Sequence, residues 1–322
     1  MKAVLKKTAD PFVRLFWKMQ ISILRACPPL CGVVVKYSLG AATSHIMWIQ
    51  TLFRVALHTP GALITHIKNT HAKKIALSRV TVVITTRCTL CCDKCNTHIP
   101  DFRRHTDIPL SVLAEDLKKL FSCVDHIHEV FLQGGEALLH PDLDEIIKIC
   151  VESNKVGHIS ILTNGTVFPG PKVLRALRDT KVLVKITRYQ QTLQPRLAEL
   201  EQLLLSNDIR YMLFASDFWY DTGVLGQTQG GSAKRRFAVC VLQLCLPYFH
   251  GKLHLCGKSA ILLEEGIAPE CQEDCIDIRA IDPAAFAGLY GALLKKRVVC
   301  ACSYCMGQTY RTPRIPVAVQ RK

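Results

Sequence analysis

The sequence predicts an α/β protein built on a parallel sheet, and three observations predict it. From Arg79 to about residue 215, short apolar runs rich in β-branched residues alternate with helical patterns. Hydrophobic residues make up 49% of the 322 and the mean hydropathy is +0.19, enough to bury a substantial core. After about residue 215 the alternation fades and cysteines return, which marks a second, smaller module. The expected organisation is a basic helical segment over 1–78, a core over 79–215 and a C-terminal module over 216–322.

The first segment carries most of the charge. Residues 1–80 hold twelve Lys and Arg against one acid, Asp10, out of a net +15 for the chain. A uniformly basic nucleic-acid-binding protein would spread that charge, so no specific nucleic acid is expected as a partner. Asp10-Pro11 reads as an N-cap and first helical residue, with Phe12, Phe16, Met19 and Ile23 on one face. Pro28-Pro29 ends that helix, and two more follow near 41–58 and 62–77. Tyr37–Phe53 lacks charges but is short of a span and contains His45 and Gln50. Two readings stand: an amphipathic segment on an anionic membrane surface, or helices packed on the core with charges in water. The first ten residues show no secretory signal, so a cytoplasmic setting with reduced cysteines is expected, with peripheral membrane attachment on the first reading.

The core reads in order as strand 80–86, helix 110–122, strand 128–133, helix 142–153, strand 157–162, helix 171–178, strand 182–187, helix 195–206 and strand 209–214. Such alternation implies right-handed βαβ units and a parallel sheet, either open or curled into a barrel.

Four cysteines, Cys88, Cys91, Cys92 and Cys95, lie within eight positions in the loop leaving the first strand. In a reduced setting such clustering reads as metal or redox ligation. The C-x3-C-x2-C spacing of Cys88, Cys92 and Cys95 suits a [4Fe–4S] cubane held by three irons, with the fourth open to a ligand. A zinc knuckle from all four is the alternative, made awkward because adjacent Cys91 and Cys92 point apart. This loop closely resembles the cluster loop of radical S-adenosylmethionine (AdoMet) enzymes.

The resemblance extends along the core. "VFLQGGEALLHPDL" (130–143) ends the second strand with Gly134, Gly135 and Glu136, a turn that contacts the AdoMet amino group in that family. Ala137 stands where the family usually has Pro. "ISILTNGT" (159–166), with Asn164, closes the third strand in a manner frequent in the family. "VKITRYQ" (184–190) supplies Thr187 and Arg188 where similar polar residues face the AdoMet ribose. All four stretches fall at the C-terminal ends of consecutive strands, where barrel folds place their sites. The resemblance thus implies a partial (β/α)6 barrel, AdoMet and a [4Fe–4S] cluster. One electron from the cluster would cleave AdoMet to methionine and a 5′-deoxyadenosyl radical that takes hydrogen from a substrate.

The C-terminal module holds Cys240, Cys245, Gly251-x4-Cys256, Cys271-x3-Cys275 and Cys300, Cys302 and Cys305. A glycine-led hairpin ending in Cys, with a distant Cys-x2-Cys, resembles the Twitch and SPASM extensions that carry an auxiliary [4Fe–4S] cluster. The seven-cysteine SPASM pattern is absent, and Cys271-x3-Cys275 matches a fragment of it. A single second cluster on Cys245, Cys256, Cys302 and Cys305 is expected, with Cys240 able to replace Cys245 and zinc at the same positions as the alternative. Cys27, Cys31, Cys123 and Cys150 read as core or surface thiols. "FASDFWYDTG" (214–223) is either a pocket wall or an ordinary loop.

The expected activity is oxidation of a small metabolite or sugar-like alcohol, with electrons from a donor such as flavodoxin or ferredoxin. Modification of a ribosomal peptide is the enzymatic alternative. A membrane-associated zinc or iron–sulfur binding module is the non-catalytic one.

Overall fold

A computed structural model describes residues 75–321 except 244 and 310. The expected N-terminal helices, the Tyr37–Phe53 stretch, Cys27 and Cys31 lie outside the described residues. Among those described, no helix is long and apolar enough to cross a membrane.

The core strands are β1 (Ala76–Thr85), β2 (His126–Gly134), β3 (Val156–Thr163), β4 (Val182–Arg188) and β5 (Tyr211–Ala215). Between them run helices α1 (Leu110–Ser122), α2 (Leu143–Glu152), α3 (Pro171–Leu177) and α4 (Leu197–Ser206). Each strand pairs parallel with the next in sequence order. Parallel strands are covered on both faces, and the sequence supplies the cover. Val80, Val82 and Ile84 of β1 are fully buried, as are Val130 and Leu132 of β2 and Ile159 and Ile161 of β3. The helices answer with stripes at helical spacing: Leu113, Leu117 and Leu120 on α1, and Leu143, Ile146, Ile147 and Cys150 on α2. Cys123 and Cys150 are buried core thiols.

The sixth parallel strand comes from a distant part of the chain. After the short strand β6 (Trp219–Tyr220) and helix α5 (Ala233–Val239), β7 (Pro247–Phe249) pairs parallel with the free edge of β1. An antiparallel hairpin then leads through β8 (Lys252–His254) to β9 (Cys275–Asp277), so one mixed eight-stranded sheet has the order β5-β4-β3-β2-β1-β7-β8-β9. His250 and Gly251, with φ of 45° and 79°, make the tight turn between β7 and β8 that a primed hairpin turn requires. Helices α6 (Gly257–Glu264) and α7 (Phe286–Lys295) complete the module, and strand β10 (Arg314–Ile315) pairs antiparallel with β6. Arg279 grips buried Asp116 of α1 with two bonds of 2.6 and 2.8 Å, tying the module to the core.

One polar network crosses four core strands. Glu129 accepts from Ser160 Oγ at 2.6 Å and pairs with Arg79 at 3.3 Å and Lys185 at 2.5 Å, while both cations flank the Phe131 ring. Burial alone would raise the Glu129 carboxyl, but Arg79 and Lys185 outweigh it and hold the group down to about 2. The folded value lies below the unfolded one, so this stabilisation is complete above pH 4.5 and fades as pH falls toward 2. Glu129→Gln should cost about 3 kcal/mol at neutral pH by stranding two cations. Urea melts between pH 6 and 2.5 should also show a flatter acid limb in the variant; an unchanged limb would exclude this carboxylate as its source.

The expectation that clustered cysteines stay unpaired meets one correction. Cys271 and Cys300 form a disulfide across 29 residues, with Cα atoms 5.2 Å apart. Short 3-10 turns at 269–274 and 300–303 bring them together, a contact that local spacing does not reveal.

Candidate functional site

The loop after β1 and the turn after β2 are zipped together at the C-terminal ends of the strands. Gly135 N donates to Thr85 O at 3.0 Å and Glu136 N to Arg87 O at 2.8 Å. The paired glycines are required by this approach. A Cβ on Gly134 would lie 1.8 Å from Thr85 O, and one on Gly135 would lie 2.2 Å from Arg87 O and 2.8 Å from Cys88 Cβ. They therefore seat the cysteine loop itself. Gly135→Ala should displace Cys88, cost about 3 kcal/mol and lower iron uptake on reconstitution. Gly170→Ala, with nothing within 4 Å of the new Cβ, serves as the control. Equal iron in both variants would contradict this placement.

Glu136 is fully buried, and its carboxylate is spent inside the chain. Oε1 accepts from Leu138 N at 3.0 Å and Oε2 from Asn164 N at 2.7 Å, so it fastens the end of β3 to the turn after β2. Burial pushes its carboxyl up to about 7 against these donors. Asn164 in turn donates through Nδ2 to Thr89 Oγ1 at 3.0 Å and to Cys88 Sγ at 3.6 Å. The end of β4 joins through a residue that motif reading missed. Buried Gln194 donates to the carbonyls of Asn164 (2.5 Å) and Thr187 (2.6 Å) and accepts from Tyr189 N. Thr187 is half-buried there, and Arg188 is exposed.

Burial first, then Glu136 and the thiols of Cys95 and Cys92, push Cys88 up to about 11, and burial followed by Cys95 and Cys91 raises Cys92 against the Gln320 bond. Cys91 is exposed. Tyr189 is raised by burial and then by Cys92, Cys95 and Cys88, and Trp219 lies edge-on to its ring at 6.1 Å. Asp221 pairs with Lys94 at 3.4 Å, which ties the 214–223 stretch to the cysteine loop.

A second group of cysteines gathers in the C-terminal module. Cys240, Cys256, Cys302 and Cys305 line one cavity with Phe237, Val299 and Ala301. The cavity brings in Cys240, at the end of α5, and Cys245 is not among its lining residues. Burial pushes the Cys240, Cys256 and Cys302 thiols up to about 12. Arg236 holds the turn bearing Cys302 by two bonds to its carbonyl, 3.2 and 2.6 Å. Backbone N–H groups of Gln308 and Gly307 point at Cys240 Sγ (3.5 Å) and Cys305 Sγ (3.2 Å).

The two groups are joined by a buried link. His98, three residues past Cys95, bonds Asp101 at 2.8 Å on one side and Lys258, two residues past Cys256, on the other. Burial and Lys258 hold the His98 imidazole down to about 4.

Tetrahedral zinc with bonds of ~2.3 Å needs thiolates about 3.8 Å apart. Among the described residues, the metal-capable group with all donor atoms within 4.8 Å is Cys271, Asp274 and Cys300. Its sulfurs are paired, and its carboxylate is held by Lys296 Nζ at 2.8 Å and Cys300 N at 2.5 Å. Among the described residues, the other two cysteine groups are more open than that.

Residues 82–203, running from β1 to α4, match the Radical SAM superfamily. No curated protein matches the sequence. Among solved structures, BtrN in complex with AdoMet and 2-DOIA is 16% identical, with a TM-score of 0.44, over 73% of this chain and 98% of that one. Streptococcus suis SuiB bound to S-adenosylmethionine is 15% identical, with a TM-score of 0.38, over 53% and 40%. AnSMEcpe with bound AdoMet and the Cp18Cys peptide is 17% identical, with a TM-score of 0.35, over 44% and 43%. The chain thus spans less than half the length of the latter two.

Proposed function

We propose that this protein is a radical AdoMet oxidoreductase in which Cys88, Cys92 and Cys95 hold the AdoMet cluster. We further propose that Cys240, Cys256, Cys302 and Cys305 hold an auxiliary cluster, with Cys240 in place of Cys245. The observation that carries the reading is the convergence, at the ends of β1, β2 and β3, of the loop bearing Cys88, Cys92 and Cys95 with one Gly-Gly-Glu turn and one Asn, both of which meet Cys88. When bound, the cluster and AdoMet would supply one-electron cleavage of the sulfonium and a hydrogen-abstracting radical.

The chain's own residues do the rest. The Gly134–Gly135 turn presents backbone next to Cys88 for the AdoMet amino group, and Glu136 keeps that turn in register with β3 rather than touching the ligand. Thr187 and Arg188 border the ribose side, with Gln194 fixing the backbone there. The Tyr189–Trp219 ring pair would serve to shield the radical from water. The bond between His98, three residues past Cys95, and Lys258, two past Cys256, supports an auxiliary site near the first, the arrangement an electron acceptor for the substrate needs. The Lys94–Asp221 pair at 3.4 Å, which ties the cysteine loop to the 214–223 stretch, would offer polar groups that suit a hydroxyl-bearing small molecule. A flavodoxin or ferredoxin would reduce the first cluster.

Anaerobic incubation with AdoMet, reductant and fractionated cell extract should give a product 2 Da lighter than its substrate, the mass of the two hydrogens that a two-electron oxidation removes. A mass gain of a methyl group, or a cross-linked peptide, would replace oxidation with another reaction of the same domain.

A further inference from the structure

Residues 318–321 cross the cysteine loop, more than two hundred residues away in sequence. Asp93 N donates to Val319 O at 2.6 Å and Arg321 N to Cys91 O at 2.8 Å, making an antiparallel bridge between Cys92 and Gln320. Arg321 anchors the crossing on Asp101 at 2.7 Å and on Pro100 O at 3.3 Å. Ala318, buried and with φ of 52°, takes a left-handed turn that side chains disfavour. The Gln320 side chain then closes on two neighbours at once: Oε1 accepts from Cys91 N at 2.9 Å, and Nε2 donates to Cys92 Sγ at 3.1 Å. Nε2 also donates to Ala318 O at 2.8 Å, which fixes the amide's orientation.

We propose that Gln320 is a positioning residue for the AdoMet cluster, whose N–H···S bond to Cys92 raises the cluster's reduction potential. The inference rests on the assignment of Cys92 as a cluster ligand. Reduction adds an electron to the cluster and its sulfurs, so a donor aimed at one sulfur stabilises the reduced form more than the oxidised one. Cys92 is buried, which keeps water from replacing that donor. Gln320 is therefore placed to ease the hardest step of the reaction, delivery of the first electron.

The test uses the anaerobically reconstituted full chain and follows the reduced-cluster EPR signal that changes on adding AdoMet. Gln320→Met keeps the length but removes the donor; Gln320→Glu keeps an acceptor for Cys91 N and places a negative charge near the sulfur. Gln320→Met should make the reduction equilibrium about tenfold less favourable, about 59 mV more negative for one electron, with iron content unchanged. Gln320→Glu should shift further in the same direction. An unchanged potential in Gln320→Met at equal iron would overturn the proposal. Loss of iron in Gln320→Met but not in Gln320→Glu would also overturn it, by showing that the residue only holds the loop. A wild-type chain with no AdoMet-responsive signal would instead remove the underlying ligand assignment.

Discussion

Replacing Cys88, Cys92 and Cys95 together by Ala should reduce 5′-deoxyadenosine formation to below detection, while Cys91→Ala should leave it within about twofold of wild type. The three residues sit in the loop that Gly134 and Gly135 seat against the end of β1, and Asn164 reaches Cys88 directly. Cys91 is exposed, and its contribution to the crossing with residues 318–321 is through its backbone, which Ala preserves. The triple variant should also lose about four irons of about eight, one cubane of two. A triple variant that loses iron but still cleaves AdoMet would break the link between this loop and the chemistry.

The second large effect separates Cys240 from Cys245. Cys240→Ala should leave about four irons per chain and abolish product formation while AdoMet cleavage continues, as should Cys302→Ala with Cys305→Ala. Cys245→Ala should retain about eight irons and full turnover. The reasoning is spatial: α5 ends at Val239, and the next residue enters the cavity shared with Cys256, Cys302 and Cys305. The opposite pattern, iron lost with Cys245 and kept without Cys240, would return the ligand to the position expected from spacing. Four irons and one zinc in the wild-type chain would make the C-terminal module structural and end the electron-acceptor role.

Much of the core is legible in the sequence because its strands are apolar, β-branched and bounded by turns. The strand expected at 182–187 is Val182–Arg188, and the helix expected at 171–178 is Pro171–Leu177. β1 starts at Ala76, four residues early, because Arg79 interrupts the apolar run yet is held inside by Glu129. The sixth parallel strand escapes any periodic reading: it is three residues long, begins with Pro and pairs with β1 across more than 160 residues. The cysteine loop and the Gly-Gly-Glu turn are visible as motifs, but what they do for each other is not. Only the folded chain shows that the glycines make room for Arg87 and Cys88, and that Glu136 serves Asn164. Gln194 and Gln320 carry no local signal, since an amide that staples distant carbonyls or sulfurs looks like any surface glutamine. The choice of Cys240 over Cys245 is of the same kind, because both fit the distance to the Gly251 turn.

The central claim is that this domain uses its three-cysteine loop to cleave AdoMet reductively. Its most direct test is quantification of 5′-deoxyadenosine and methionine after anaerobic reduction of the reconstituted wild-type chain with AdoMet. Equal amounts of the two products, dependent on reductant and bound iron, are predicted. Intact AdoMet in a reduced chain that holds its full complement of iron would contradict the account.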